Sequence, residues 1–260
     1  MTPGVNIYMR VLFVGGSIGK GEWAWPQVIP YRPDRDRYEL DSIPGWHNSH
    51  GGAAEYLSSQ GYLVTQACTP AQTLGQSTEI MSKVSVQEYH ACVWFMTDIT
   101  WDLNPQHNTN ISDLIKQIRP RQCHTVSDYQ ELYTDAREIL LGEFALHINR
   151  TKIPTMLINT VGYIPARPDI FSHTIESLYQ TLTGTDQSSY TGVSWYPDRL
   201  LTPLSPDYNP DILSEVISMS DAWKAQFFNR PELFWPDGIH PNRHAHEQIS
   251  RHIQSWLQNF

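Results

Sequence analysis

The run Val11–Val14 (VLFV) is wholly apolar, shows no alternation, and stops abruptly at Gly15-Gly16-Ser17. A strand that is apolar on both faces must be covered on both faces, which points to the middle of a parallel sheet flanked by helices. The rest of the chain repeats the theme. "NSHGGAAEYLSSQGYLVTQA" predicts a helix capped by Asn48 or Ser49, with Ala53, Ala54, Tyr56 and Leu57 inward. Gly61 is expected to stop it, and Tyr62–Ala67 to form the second strand. A helical segment around Thr78–Lys83 leads to a third apolar strand, Ala91–Met96. Ser127 and Gln130 have capping-box spacing. Behind them Tyr129, Leu132, Tyr133, Ala136, Ile139, Leu140 and Phe144 follow the helical period. A fourth strand is expected over Thr155–Asn159, a fifth over Gly192–Tyr196 (GVSWY), and a final amphipathic helix over Asn242–Leu257 with Ala245, Ile249, Ile253, Trp256 and Leu257 inward. Strand and helix in alternation predict an α/β fold with a parallel sheet covered on both faces.

The chain's 260 residues suffice for one large domain, and no repeat or linker divides it, so residues 1–260 are expected to form a single unit. Residues 160–235, rich in Pro, Ser, Asp and Tyr, lack a clear period and are expected as an insertion or lid. Net charge is −9 without a long basic run, which argues against nucleic acid as a partner. No stretch approaches the ~20 apolar residues of a membrane span. The opening residues do not read as a secretory signal, and Met9 could serve as an alternative start, so a cytoplasmic location is the default expectation. Without such a signal, the sequons at Asn110 and Asn149 are taken as chance. Cys68, Cys92 and Cys123 are too few and scattered for a disulfide framework or a thiolate zinc site, and are expected as small buried hydrophobes.

Three readings of Gly15-Gly16-Ser17 compete. A P-loop fails, because Val14 stands where its first glycine belongs and Gly21 where Ser or Thr should follow Lys20. A dinucleotide fingerprint fits Gly19-x-Gly21-x-x-Ala24 only five residues beyond the strand, and proline follows where a helix should begin. A nucleophile accounts for a second motif far away. In "FWPDGIHPN" (residues 234–242), Asp237 and His240 are three apart, just before the last helix. That spacing lets a carboxylate fix the tautomer of an imidazole whose other nitrogen can take a proton from a serine. Ser17 falls at the carboxyl end of the first strand, where open parallel sheets bind their ligands.

A serine just after strand one and Asp-x-x-His before the last helix resemble the SGNH (GDSL-like) hydrolases, in element order over nearly the whole chain. The resemblance implies a flavodoxin-like three-layer α/β/α sandwich with a central sheet of about five strands. It also implies a serine esterase needing no cofactor, with Ser17 as nucleophile, His240 as base and Asp237 as its orienting carboxylate. The family's Gly-Asp-Ser appears as Gly15-Gly16-Ser17, without the Asp. In "QACTPAQT", Ala71 falls where the family has an oxyanion-hole glycine. The family's Gly-x-Asn-Asp becomes Phe95-Met96-Thr97-Asp98, with Thr97 in place of the amide donor. The implied oxyanion hole is therefore the N–H groups of Ser17 and Ala71, helped by the Thr97 hydroxyl. Gly16, Gln72, Asp98, Trp23 and Trp101 are candidate substrate contacts, although for Asp98, at the end of a strand, the structural role of capping a helix is the favoured expectation. Trp23, Trp25 and Trp101, near the expected site loops, suggest a sugar platform; aromatic residues more often fill cores. The expected partner is a small-molecule or carbohydrate ester, first an O-acetylated sugar and next a short-chain lipid ester. The changes at Ala71 and Thr97 from the family's motifs keep a non-catalytic scaffold or binding module open as the alternative, with a nucleotide binder third. His240, His244 and His246 lack the spacing that places two imidazoles on one helical face, so no metal is expected.

Overall fold

The computed structural model describes residues 8–24, 47–69, 72–85, 88–103, 122–204, 208–234 and 240–260. Strand β1 (Arg10–Gly15) runs into a one-turn helix, α1 (Ser17–Lys20). An antiparallel ribbon of β2 (Glu22–Ala24) and β3 (His47–His50) follows, then α2 (Ala53–Ser59), β4 (Leu63–Cys68), α3 (Leu74–Lys83) and β5 (Ala91–Met96). The long helix α4 (Val126–Thr151) precedes β6 (Thr155–Asn159) and β7 (His173–Ile175). Helices α5 (Leu178–Thr183), α6 (Pro197–Leu204), α7 (Pro210–Phe228) and α8 (Arg243–Leu257) complete the chain.

Strands β4-β1-β5-β6-β7 form one sheet in that order, and every pairing is parallel. This is the doubly wound, flavodoxin-like order, with its switch point beside β1. Helices cover both faces, giving the three layers expected. One face packs Leu12, Val14, Trp94, Met96 and Leu157 against α3 and α4; the other packs Phe13, Val93, Phe95 and Ile158 against α2, α5 and α8. Every residue of β5 and β6 is buried, whereas edge strand β4 is largely exposed or half-buried. Burial of each large apolar side chain contributes about 1.5–3 kcal/mol, and Trp94, stacked on Phe144 at 3.6 Å, anchors the first face.

Several expectations are corrected. The fifth strand is β7, not Gly192–Tyr196. Gly192 has φ +74°, and Ser194 and Trp195 direct their polar groups to Asp98 instead of a ladder. Residues 160–204 and 208–234 are no lid over a finished domain: they supply β7 and α5–α7, and Ile175, Leu178, Tyr179, Trp223 and Phe227 join the core. Asn48 and Ser49 lie in β3, and Gly52 stands at the N-cap of α2. Helix α3 starts at Leu74, four residues ahead of expectation, because Thr73 and Gln76 form its capping box. The box of α4 is Thr125 with Asp128, so Ser127 sits inside the first turn. Asn242 caps α8 as its sequence suggests.

Candidate active site

Close packing dictates the turn that ends β1. Gly15 has φ +127°, and a Cβ there would stand 2.0 Å from the Phe95 carbonyl oxygen, so no side chain is admissible. A Cβ on Gly19 would meet Cys68 Sγ and the Phe95 ring at 2.7 Å. The glycines of GGSxG therefore let this turn lie directly on β5. Ser17 emerges as the first residue of α1, at the switch point of the sheet. N–H groups of a helix's first turn have no intrahelical acceptor.

His240 approaches from the other end of the chain. Phe234 bridges to Pro241, the Asn242 N–H donates to the Leu233 carbonyl at 2.8 Å, and the Asn242 side chain accepts from the Ala245 N–H. The imidazole is thereby carried at the entrance to α8, whose apolar face is clamped to the sheet. Its Nε2 lies 2.8 Å from Ser17 Oγ, across 223 residues of sequence. Ser17 is 6% exposed and His240 1%. With the proton on Nδ1, Nε2 accepts from the serine hydroxyl, at the separation general-base catalysis requires. Asp237 and Ala71 fall outside the described residues, as does Trp25.

The other candidate residues have different neighbours. Thr97 donates its hydroxyl proton to the Gln72 carbonyl at 2.7 Å, so in this arrangement that proton is not directed at an oxyanion. The Gln72 side chain is buried within its own turn, accepting from the Thr69 N–H and hydroxyl and donating to Ser77 Oγ. Asp98 is fully buried; it accepts from the Thr100 N–H and hydroxyl, the Ser194 hydroxyl and the Trp195 N–H, tying the loop after β5 to residues 194–195. Burial pushes its carboxyl up from the ordinary value, and these bonds pull it back only in part. Trp101 is buried against Tyr196 and the Arg199 guanidinium, so its face offers no sugar platform. Trp23 lies in β2. Gly16 sits under the Thr97 methyl.

Sequence reading missed two further parts of this loop cluster. Asp102 accepts from the Leu74 and Gly75 N–H groups at 2.8 Å each, capping α3 from a distance of 27–28 residues. Ser194 links Asp98 to α7, because Ser220 donates to its carbonyl at 2.7 Å. Neither carries a local signal. Among the described residues, no group of three or more His, Cys, Asp or Glu is placed to hold a metal ion. His244 is exposed beside Gln248, while His246 is buried beside Gly52. No described helix is long and apolar enough to cross a membrane.

No family model and no curated protein matches this chain. Among solved structures it is similar to GDSL-like esterases and lipases over nearly its full length. One is the psychrotrophic esterase EstA from Pseudoalteromonas sp., solved inhibited by monoethylphosphonate, at 10% identity over 96% of this chain and 98% of that one, with TM-score 0.39. Another is a GDSL-like lipase from Bacteroides thetaiotaomicron, at 11% identity over 96% and 88% of the two chains, with TM-score 0.37.

Proposed function

We propose that this chain is a serine esterase of SGNH type that cleaves a small acyl ester. The observation that carries the reading is the 2.8 Å contact between Ser17 Oγ and His240 Nε2, both buried, at the sheet's switch point. In the proposed reaction Ser17 Oγ attacks the ester carbonyl as its proton passes to His240 Nε2. His240 then protonates the departing alkoxide, leaving an acyl-serine. A water molecule, deprotonated by His240, hydrolyses the acyl group and restores the serine. Asp237, three residues before His240, is assigned to its Nδ1–H. The Ser17 and Ala71 N–H groups are assigned to the oxyanion. Thr97 is withdrawn from that role because its proton goes to Gln72.

The ester we assign is an O-acetyl group on a carbohydrate, following the substrate range of the family the sequence resembles. Trp101 lends this no support, which leaves Trp23 and Trp25 as the candidate stacking residues. One observation favours the non-catalytic reading: the Thr97 hydroxyl donates to the Gln72 carbonyl, and a missing side-chain donor to the oxyanion typically costs about 10²–10³ in rate. Fluorophosphonate labelling and p-nitrophenyl acetate turnover, compared between wild type and Ser17→Ala, separate the two. Labelling and turnover that vanish in the variant support the esterase. A folded wild type as inert as its variant refutes it.

A further inference from the structure

One side chain after β5 touches both neighbouring loops. The Thr97 hydroxyl donates to the Gln72 carbonyl at 2.7 Å, in the loop after β4. Its methyl lies 2.3 Å from where a Cβ on Gly16 would stand, in the turn after β1. Gly16 directly precedes Ser17, and Gln72 directly precedes Thr73, the N-cap of α3. Thr97 thus bridges the two loops with two chemically different groups on a single carbon. A β-branched side chain has restricted χ1 freedom, so seating the methyl also aims the hydroxyl. Serine would keep only the hydrogen bond and valine only the packing. The methyl at 97 also fills the space that a side chain at 16 would need.

We propose that Thr97 is a positioning residue for the Ser17 reaction, holding the nucleophile turn in register with the loop that carries Gln72 without touching substrate. This rests on the esterase reading above. Transition-state donors are sensitive to displacement, whereas binding of a small acyl ester in the ground state is less so. Loss of the tether should therefore appear in kcat more than in KM.

The experiment compares wild type, Thr97→Val, Thr97→Ser, Gly16→Ala and Gly16→Ala/Thr97→Ser by p-nitrophenyl acetate kinetics and thermal melting. Thr97→Val is expected to lower kcat by about 10- to 100-fold while KM moves by about twofold or less. Thr97→Ser, which keeps the donor, should fall by about tenfold less than Thr97→Val. Gly16→Ala should lower both kcat and melting temperature, and the double variant, which removes the obstructing methyl, should recover part of each. A Thr97→Val enzyme with wild-type kcat, a change confined to KM, or a double variant no better than Gly16→Ala would each overturn the inference. An inert but folded wild type overturns the esterase reading and this role together. That outcome is distinct from an active wild type matched by Thr97→Val, which refutes the positioning role alone.

Discussion

Ser17 and Asp98 follow the carboxyl ends of neighbouring strands, and both are buried, but their surroundings are opposite in kind. Asp98 is surrounded by donors from Thr100, Ser194 and Trp195, so its oxygens point into the protein and join two loops. The Ser17 hydroxyl has one side-chain partner among the described residues, and that partner is an imidazole nitrogen. A polar group at a strand end is thus not a site by position alone. Saturation by neutral donors makes a joint, while a single basic partner makes a group that can be deprotonated during reaction.

The sharpest way to break this contrast is to remove the basic partner. His240→Ala should lower kcat on the order of 10⁶-fold while the protein remains folded; substantial residual turnover would put Ser17 on the same footing as Asp98. Asp237→Asn should cost roughly 10⁴-fold in kcat with the protein folded, and wild-type turnover would remove Asp237 from the mechanism. Asp98→Ala should behave in the reverse manner. It leaves buried donors unsatisfied and should cost about 2–5 kcal/mol in denaturant unfolding; an unchanged midpoint would deny its structural role.

Asp98→Asn sharpens the same contrast through pH. The folded-state pKa of Asp98 is raised above its unfolded value, so its favourable contribution is fully present below the unfolded pKa. That contribution is lost as pH rises through the folded value. Asparagine does not titrate, so the stability of Asp98→Asn relative to wild type should improve between pH 4 and pH 7. A gap that narrows in the opposite direction would reverse the assignment. The smallest effect concerns the thiols. Burial pushes Cys92 up to about 12 and Cys68 higher still, so neither is a thiolate at pH 8. A thiol reagent should leave native Cys68 and Cys92 unmodified and react on unfolding, as read by mass spectrometry.

The apolar strands β1, β5 and β6 were legible because burial on both faces writes an unbroken hydrophobic run. Strand β7 was not, because it lies at the sheet edge and buries only Ile175 of its residues. The cap of α4 was ambiguous in a specific way: Thr125 with Asp128 and Ser127 with Gln130 have the same spacing, and only the path of the incoming chain selects between them. Ser17 and His240 could be paired from sequence because each sits in a short motif whose chemistry needs the other. The capping use of Asp98 was legible too, since it accepts from the Thr100 N–H and hydroxyl two residues on. Its tie to Ser194 and Trp195 and the bond from Thr97 to Gln72 were not, because those partners lie nearly a hundred and 25 positions away. Trp101 was misjudged for a related reason: a tryptophan in a loop looks exposed until Tyr196 and Arg199 close over it.

The obstacles around Gly15 and Gly16 also limit the order in which this turn can change over generations. At Gly15 the obstruction is the Phe95 carbonyl, part of the backbone, and it persists whatever residue occupies position 95. At Gly16 it is the methyl of Thr97, which a single replacement can remove. A descendant lineage that replaces Gly16 first passes through a clash; one that first exchanges Thr97 for serine does not. The two glycines look alike in sequence, yet the first is closed to mutation and the second is open by one route, with position 97 changing before position 16.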